Sequence, residues 1–85
     1  MWTVVYTADA IKTLSRLDSV AAKRIRTKIV ALARNLLAPN NNVKRLTGME
    51  GYRLRVGDWR VVYTLKHETV TVIIVRIGHR SEVYG

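Results

Sequence analysis

Near the end of the chain, the stretch IGHRSEVY brings His79, Arg80, Glu82 and Tyr84 within six residues. Histidine moves protons near neutral pH, a guanidinium stabilises charge building on phosphate oxygens, and tyrosine stacks on a base or donates a proton. Metal-free cleavage of a phosphodiester by a neighbouring 2′-hydroxyl calls for these types. It must deprotonate the hydroxyl, hold extra negative charge on phosphorus, and protonate the leaving 5′-oxygen. Taken alone the stretch is unspecific. A histidine near a chain end is most often a surface residue, Glu82 can simply pair with an arginine, and Tyr84 can simply pack on a sheet.

A second cluster lies in GYRLRVGDWRVVY, residues 51–63. Gly57-Asp58 suits a two-residue hairpin loop of type I′ or II′, which makes Val56 and Trp59 a cross-strand pair. Alternation then gathers Tyr52, Leu54, Val56, Trp59, Val61 and Tyr63 on one face, the apolar one. Arg53, Arg55 and Arg60 share the other, with Arg55 directly opposite Arg60. A like-charge pair in that position costs stability unless an anion lies between the two. A slip of one residue would bury all three arginines, so burial enforces the register. A basic strand face is often no more than a solvated one. Here the charges are all arginine, no glutamate is interspersed, and the tail brings another. Nucleic acid is the first partner this suggests and an acidic protein the second.

The elements that must position these groups follow from periodicity. Residues 2–7, WTVVYT, have strand composition, with Trp2, Val4 and Tyr6 on one face. Thr7 caps a short helix whose Ile11, Leu14 and Leu17 recur at three-residue spacing. Asp18-Ser19 interrupts it and starts a second helix, in which Ile25, Ile29, Leu32 and Leu36 make the apolar stripe and Pro39 the stop. Asn40, Asn41 and Asn42 read as a polar loop. After the hairpin, residues 69–77 carry apolar residues at both parities, which predicts a strand covered on both faces. Gly78 would let the chain leave that strand at an unusual backbone angle. The predicted order is β-α-α-β-β-β: an α+β domain over residues 1–85, with a helical hairpin on one face of a mostly antiparallel sheet.

Composition narrows the partners. Fifteen Lys and Arg against six Asp and Glu give a formal charge of +9, which suits a polyanion. Ten of the fifteen are arginine, the better phosphate ligand because its planar fork binds two oxygens at once. The absence of cysteine excludes disulfides, thiolate metal sites and thiol nucleophiles. His67 and His79 with scattered carboxylates make a poor ligand set, so neither metal nor cofactor is expected. With no signal peptide and no apolar run of membrane-spanning length, a cytoplasmic protein without membrane partners is expected. The second helix, with Lys23, Arg24, Arg26, Lys28 and Arg34, reads first as a solvated basic face and only then as one turned to a membrane or RNA.

The combination KRLTGMEGYRLRVGDWRVVY, a β-rich stretch and then IGHRSEVY resembles the RelE branch of the RelE/ParE toxin superfamily. YTADAIKTLSRLD and the basic helix after it resemble that family too, so the likeness covers essentially the whole chain. It implies a RelE-like, microbial-RNase-like fold and a metal-independent endoribonuclease, the toxin of a type II toxin–antitoxin system. Such a toxin enters the A site of the 70S ribosome and cuts mRNA by attack of a 2′-OH on the adjacent phosphate, while a cognate antitoxin wraps and inhibits it.

Carried over, the basic pair of the hairpin's first strand falls on Arg53 and Arg55, the arginine of the next strand on Arg60, the arginine after the last strand on Arg80, and the C-terminal tyrosine on Tyr84. Lys44 and Arg45, with Lys23 and Arg26, become RNA or ribosome contacts. One departure matters: well-known RelE members carry lysines at the hairpin pair, one of them proposed as general base. An arginine is always protonated and a poor base, so Arg53 and Arg55 become phosphate clamps and His79 the candidate for proton transfer. Two readings compete. One is a ParE-like inhibitor of DNA gyrase on the same fold; the other is an inactive relative that only binds antitoxin or RNA.

Overall fold

The computed structural model describes residues 1–83. Strand β1, Thr3–Tyr6, ends at Thr7, whose extended backbone and side chain start helix α1, Ala8–Arg16. The Thr7 Oγ1 accepts from the Ala10 N–H at 3.2 Å and donates to the Val75 carbonyl at 2.7 Å. One hydroxyl thus caps the helix and ties it to the sheet. The buried stripe of α1 runs through Ala10 and Leu14, with Leu17 partly buried behind them. Ile11, expected in that stripe, is 56% exposed. Ala10, Leu14 and Leu17 satisfy the +4, +3 rhythm, and Ile11 lies one residue, about 100° of helix, to the side.

Asp18 caps helix α2, Ser19–Arg34, by accepting from the Ala21 N–H at 2.9 Å. Ile25, Ile29 and Leu32 are buried as their spacing predicts, and Leu36 packs partly against the core. The helix stops well short of Pro39: Asn35 leaves helical backbone, with φ −130 and ψ 45, and its N–H turns to the Leu32 carbonyl.

The chain then forms a short strand that periodicity did not predict, β2, Val43–Arg45. Strands β3, Tyr52–Val56, β4, Trp59–Lys66, and β5, Thr71–His79, complete a five-stranded sheet in the order β1-β5-β4-β3-β2. All pairings are antiparallel except β1 with β5. The architecture is thus the predicted α+β sheet and helical hairpin, with β2 added at one edge. A four-residue helix, α3, Arg80–Val83, follows β5.

The apolar residues of β5 fall at both parities for two reasons, one of them a bulge. The ladder shifts register between Val62 and Tyr63, where Val62 pairs with Arg76 but Tyr63 with Ile74. Val75 is the extra residue of a bulge, which reverses the alternation. Val72 and Ile74 before it, and Ile77 after it, therefore all bury on the side of the helices. Ile73, at the other parity ahead of the bulge, lies on the far face and is half-buried. Gly78 likewise does not release the chain; it is still inside β5, opposite Arg60.

Val61 is wholly buried between Leu54 and Ile77 on the neighbouring strands. Val61→Asp places an unpaired carboxylate there, and the expected loss is on the order of 4 kcal/mol or more. The cooperative urea transition should shift far down or vanish. A second test uses Tyr63, whose ring stacks on Tyr52 at 5.4 Å. Burial pushes the Tyr63 phenol from 10.0 up to about 12. The folded value lies above the unfolded one, so this contribution is complete below pH 10 and is lost as pH rises from there toward 12. Unfolding midpoints measured across that range should fall more steeply for the wild type than for Tyr63→Phe.

Candidate functional site

The hairpin turn is built as its dipeptide requires. Gly57 has φ +59 and Asp58 has no positive φ, the pattern of a type II′ turn. Val56 pairs with Trp59 and Arg55 with Arg60. Leu54, Val56, Val61 and Tyr63 are buried beneath the helices, which leaves Arg53, Arg55 and Arg60 on the opposite face. Lys44 pairs with Arg53 across β2 and β3 and joins that face. Arg45, one residue on, lies on the other side of its strand.

Each arginine is held in its own way. Arg55 is exposed, yet its backbone N–H donates to the Asn42 carbonyl at 2.8 Å and its Nη2 donates to the Asn42 Oδ1 at 3.0 Å. Asn42 is itself fixed, since its N–H donates to the Asn40 Oδ1 at 2.9 Å. The asparagine run, expected to be only a polar loop, therefore positions Arg55. Arg60 is far more enclosed than a strand residue facing away from the core should be, at 8% exposure. Its Nη1 donates to the Gly57 carbonyl at 2.9 Å and the Trp59 carbonyl at 3.0 Å. Gly78, directly opposite on β5, offers no side chain to compete for that space.

The tail is tied to the same turn. The Arg80 N–H donates to the Asp58 carbonyl at 2.8 Å. Its Nη1 lies 3.9 Å from the Asp58 Oδ1, a loose pair with both side chains exposed, worth little in water. The result is two adjoining hollows. The smaller, about 80 Å³, is lined by Asn41, Asn42, Lys44, Arg53, Arg55 and Arg60. The larger, about 500 Å³, shares Asn42, Arg55 and Arg60 and adds Arg80, Asp58, and Arg24 and Lys28 of α2. Seven cations face one carboxylate in this combined groove, an arrangement that favours phosphate oxygens.

The other sequence candidates lie elsewhere. His79 pairs with Trp59 and so falls on the Trp59 side of the sheet. Its ring meets the Trp59 indole edge-on at 5.6 Å, and its Nδ1 is 3.1 Å from the Ser81 Oγ. It lines neither hollow. Lys23 and Arg26 are exposed on the outer side of α2, with Val30 and Arg34. Tyr84 lies outside the described residues. Arg24 and Lys28 were legible only as part of a basic helix. The available signal was that each directly precedes a core isoleucine, Ile25 or Ile29, which turns it to one flank of the buried stripe. Among the described residues no three His, Asp or Glu side chains cluster as metal ligands would, and no helix is long and apolar enough to cross a membrane.

Comparison with known proteins bears on what this groove belongs to. Residues 4–84 match the family model of the ParE toxin of type II toxin–antitoxin systems, parDE. No curated protein sequence matches the chain. Among solved structures, the isolated Escherichia coli RelE toxin is 26% identical, with a TM-score of 0.78 over 99% of this chain and 92% of that one. A chain of the RelBE2 toxin–antitoxin complex from Mycobacterium tuberculosis is 30% identical, with a TM-score of 0.66 over 93% and 98%. The YoeB/ParE toxin from Agrobacterium tumefaciens, at 17% identity, shares the fold with a TM-score of 0.76 over 91% and 96%. With a family model spanning nearly its whole length and RelE structures superposing on its fold, the chain belongs to the RelE/ParE superfamily of toxins from type II toxin–antitoxin systems.

Proposed function

We propose that this toxin is a ribosome-dependent endoribonuclease that cleaves mRNA in the A site and is neutralised by a cognate antitoxin. The observation that carries the reading is the meeting of arginines from β3, β4 and the segment after β5 in one groove. The reaction forms a bond from the 2′-oxygen to phosphorus and breaks the bond from phosphorus to the 5′-oxygen. The hydroxyl proton passes to a base, the leaving oxygen gains a proton, and a cyclic phosphate and a 5′-hydroxyl result. Negative charge rises on the phosphoryl oxygens in between, and fixed donors aimed at them lower the barrier.

Arg53 and Arg55 clamp the phosphate, with Arg55 held in place by Asn42. Arg60 and Arg80 stabilise the pentavalent intermediate. Arg60 comes with its orientation fixed by the turn carbonyls, so little is lost in ordering it. The Arg80 guanidinium, loosely paired with an exposed carboxylate, can exchange Asp58 for phosphate. His79 remains the candidate for proton transfer. Its Nδ1 is engaged by Ser81, which leaves Nε2 for the substrate, and RNA would have to pass round the turn to reach it. Tyr84 is assigned stacking on a base or orienting the 2′-hydroxyl. Lys44 joins the phosphate contacts, and Arg45, Lys23 and Arg26 lie where only the ribosome or another part of the RNA would meet them. The toxin–antitoxin complexes formed by relatives support an antitoxin partner.

A second reading has its own support, because the matching family model is that of ParE. A ParE-like protein would poison DNA gyrase by surface contact and would need no groove. Expression in a translating extract separates the two. The nuclease reading expects mRNA ends mapping inside A-site codons, only when ribosomes are present. Loss of gyrase supercoiling with intact mRNA would sink it.

Arg80→Ala should lower the cleavage rate about 10²-fold or more with an unchanged melting temperature, because its side chain is 63% exposed. Arg60→Ala should lose a comparable factor and also about 1–2 kcal/mol of stability, since two turn carbonyls lose their donor. Retained cleavage in either variant rejects the assigned site. His79→Gln is checked by the cleavage rate: most of it should be lost, and an unmoved rate places the proton acceptor elsewhere.

A further inference from the structure

Helix α2 contributes to the groove in a way the catalytic roles do not use. Its sixteen residues, Ser19–Arg34, contain no acid. Arg24 and Lys28 are four apart and so stand on one face as a like-charge pair, which weakens a helix. Both face the larger hollow, across from Arg55, Arg60 and Arg80. Arg24 is also fitted to the hairpin turn. A β-carbon built on Gly57 would meet the Arg24 Nη1 at 3.2 Å and its Cζ and Nη2 at 3.5 Å. The guanidinium therefore lies across the bare backbone of the turn. Glycine at 57 serves both the positive φ and this close approach.

Size separates the two hollows. About 80 Å³ suits one phosphate-sized group, whereas about 500 Å³ falls in the ordinary range for bound ligands, ~300–1,000 Å³. The two hollows adjoin at Asn42, Arg55 and Arg60, which line both, so an extended polyanion lying on the arginines would run on past Arg24 and Lys28. Resting on the nuclease reading above, we propose that Arg24 and Lys28 form a second phosphate site, which grips the nucleotide flanking the cleaved bond. This flank of α2, rather than the outer one bearing Lys23 and Arg26, is its RNA-binding side. The arm fixes the direction in which RNA threads the groove, and it takes any base, because it reads backbone alone.

The test uses the intact protein and fluorescein-labelled 2′-O-methyl RNA, which lacks the attacking hydroxyl and cannot be cleaved. Anisotropy at low ionic strength compares a dinucleotide, with a single phosphodiester, and a tetranucleotide. The variant is Arg24→Gln with Lys28→Gln, two substitutions that keep helix propensity, and its circular dichroism should match the wild type. The double variant should bind the dinucleotide within twofold of the wild type. It should bind the tetranucleotide about tenfold more weakly, with the slope of log K against log salt reduced by about 0.7. An unchanged tetranucleotide affinity and slope, while Arg55→Ala abolishes binding, overturns the second site and leaves the groove as an RNA site. If the wild type binds neither oligonucleotide, or binds both independently of Arg55, the nuclease reading itself falls and the second site with it. Weakened binding of a poly-glutamate peptide, with the tetranucleotide unaffected, would also overturn the proposal and assign the arm to an acidic protein.

Discussion

One constraint organises this molecule: the register of the β3–β4 hairpin, set by a two-residue turn at Gly57-Asp58 and locked by burial. Val56 opposite Trp59 sends Leu54, Val61 and Tyr63 into the core beneath the two helices. The same alternation brings Arg55 face to face with Arg60 on the other side. Neither can change without the other. The apolar stripe supplies the free energy that holds two guanidiniums together against their repulsion. Function at the groove is thus charged to the stability of the hairpin.

Around that pair the fold adds restraints of graded stiffness. Arg60 is the most rigid, enclosed and bonded to the carbonyls of its own turn. Arg55 is tied at backbone and side chain to Asn42 on the edge of the sheet. Arg80 is anchored through its backbone but loosely paired through its side chain. A site for a charged transition state benefits from such a gradient. Fixed donors need no reorganisation as charge develops, and a looser one can close over a bound chain.

Much of this was legible in the sequence because it depends on short-range rules. The Gly-Asp turn and period-two alternation place every residue of the hairpin on its correct face. The capping residues Thr7 and Asp18 start their helices as written. What escaped was the part that depends on neighbours distant in the chain. β2 has three residues, too few for alternation to register, and exists only because β3 offers it an edge. The bulge at Val75 arises from the ladder with β4, so the burial of Ile77 on the same side as Val72 and Ile74 could not be read from alternation. Arg60 looked like an ordinary outward strand residue; its enclosure needs the glycine across the ladder and the carbonyls of the turn. His79 is adjacent to Arg80 in sequence, but it is the last residue of β5, whereas Arg80 begins α3. Pairing with Trp59 carries it away from the groove.

The claim at the centre is that guanidiniums from β3, β4 and the tail act on a single phosphodiester. Side-chain Nε–Hε NMR signals of Arg55, Arg60 and Arg80, followed while an uncleavable dinucleotide is added, test it most directly. The account predicts that all three shift together and saturate at one midpoint. Shifts confined to Arg26 and Arg34 on the outer side of α2, with the hairpin arginines unmoved, would contradict it.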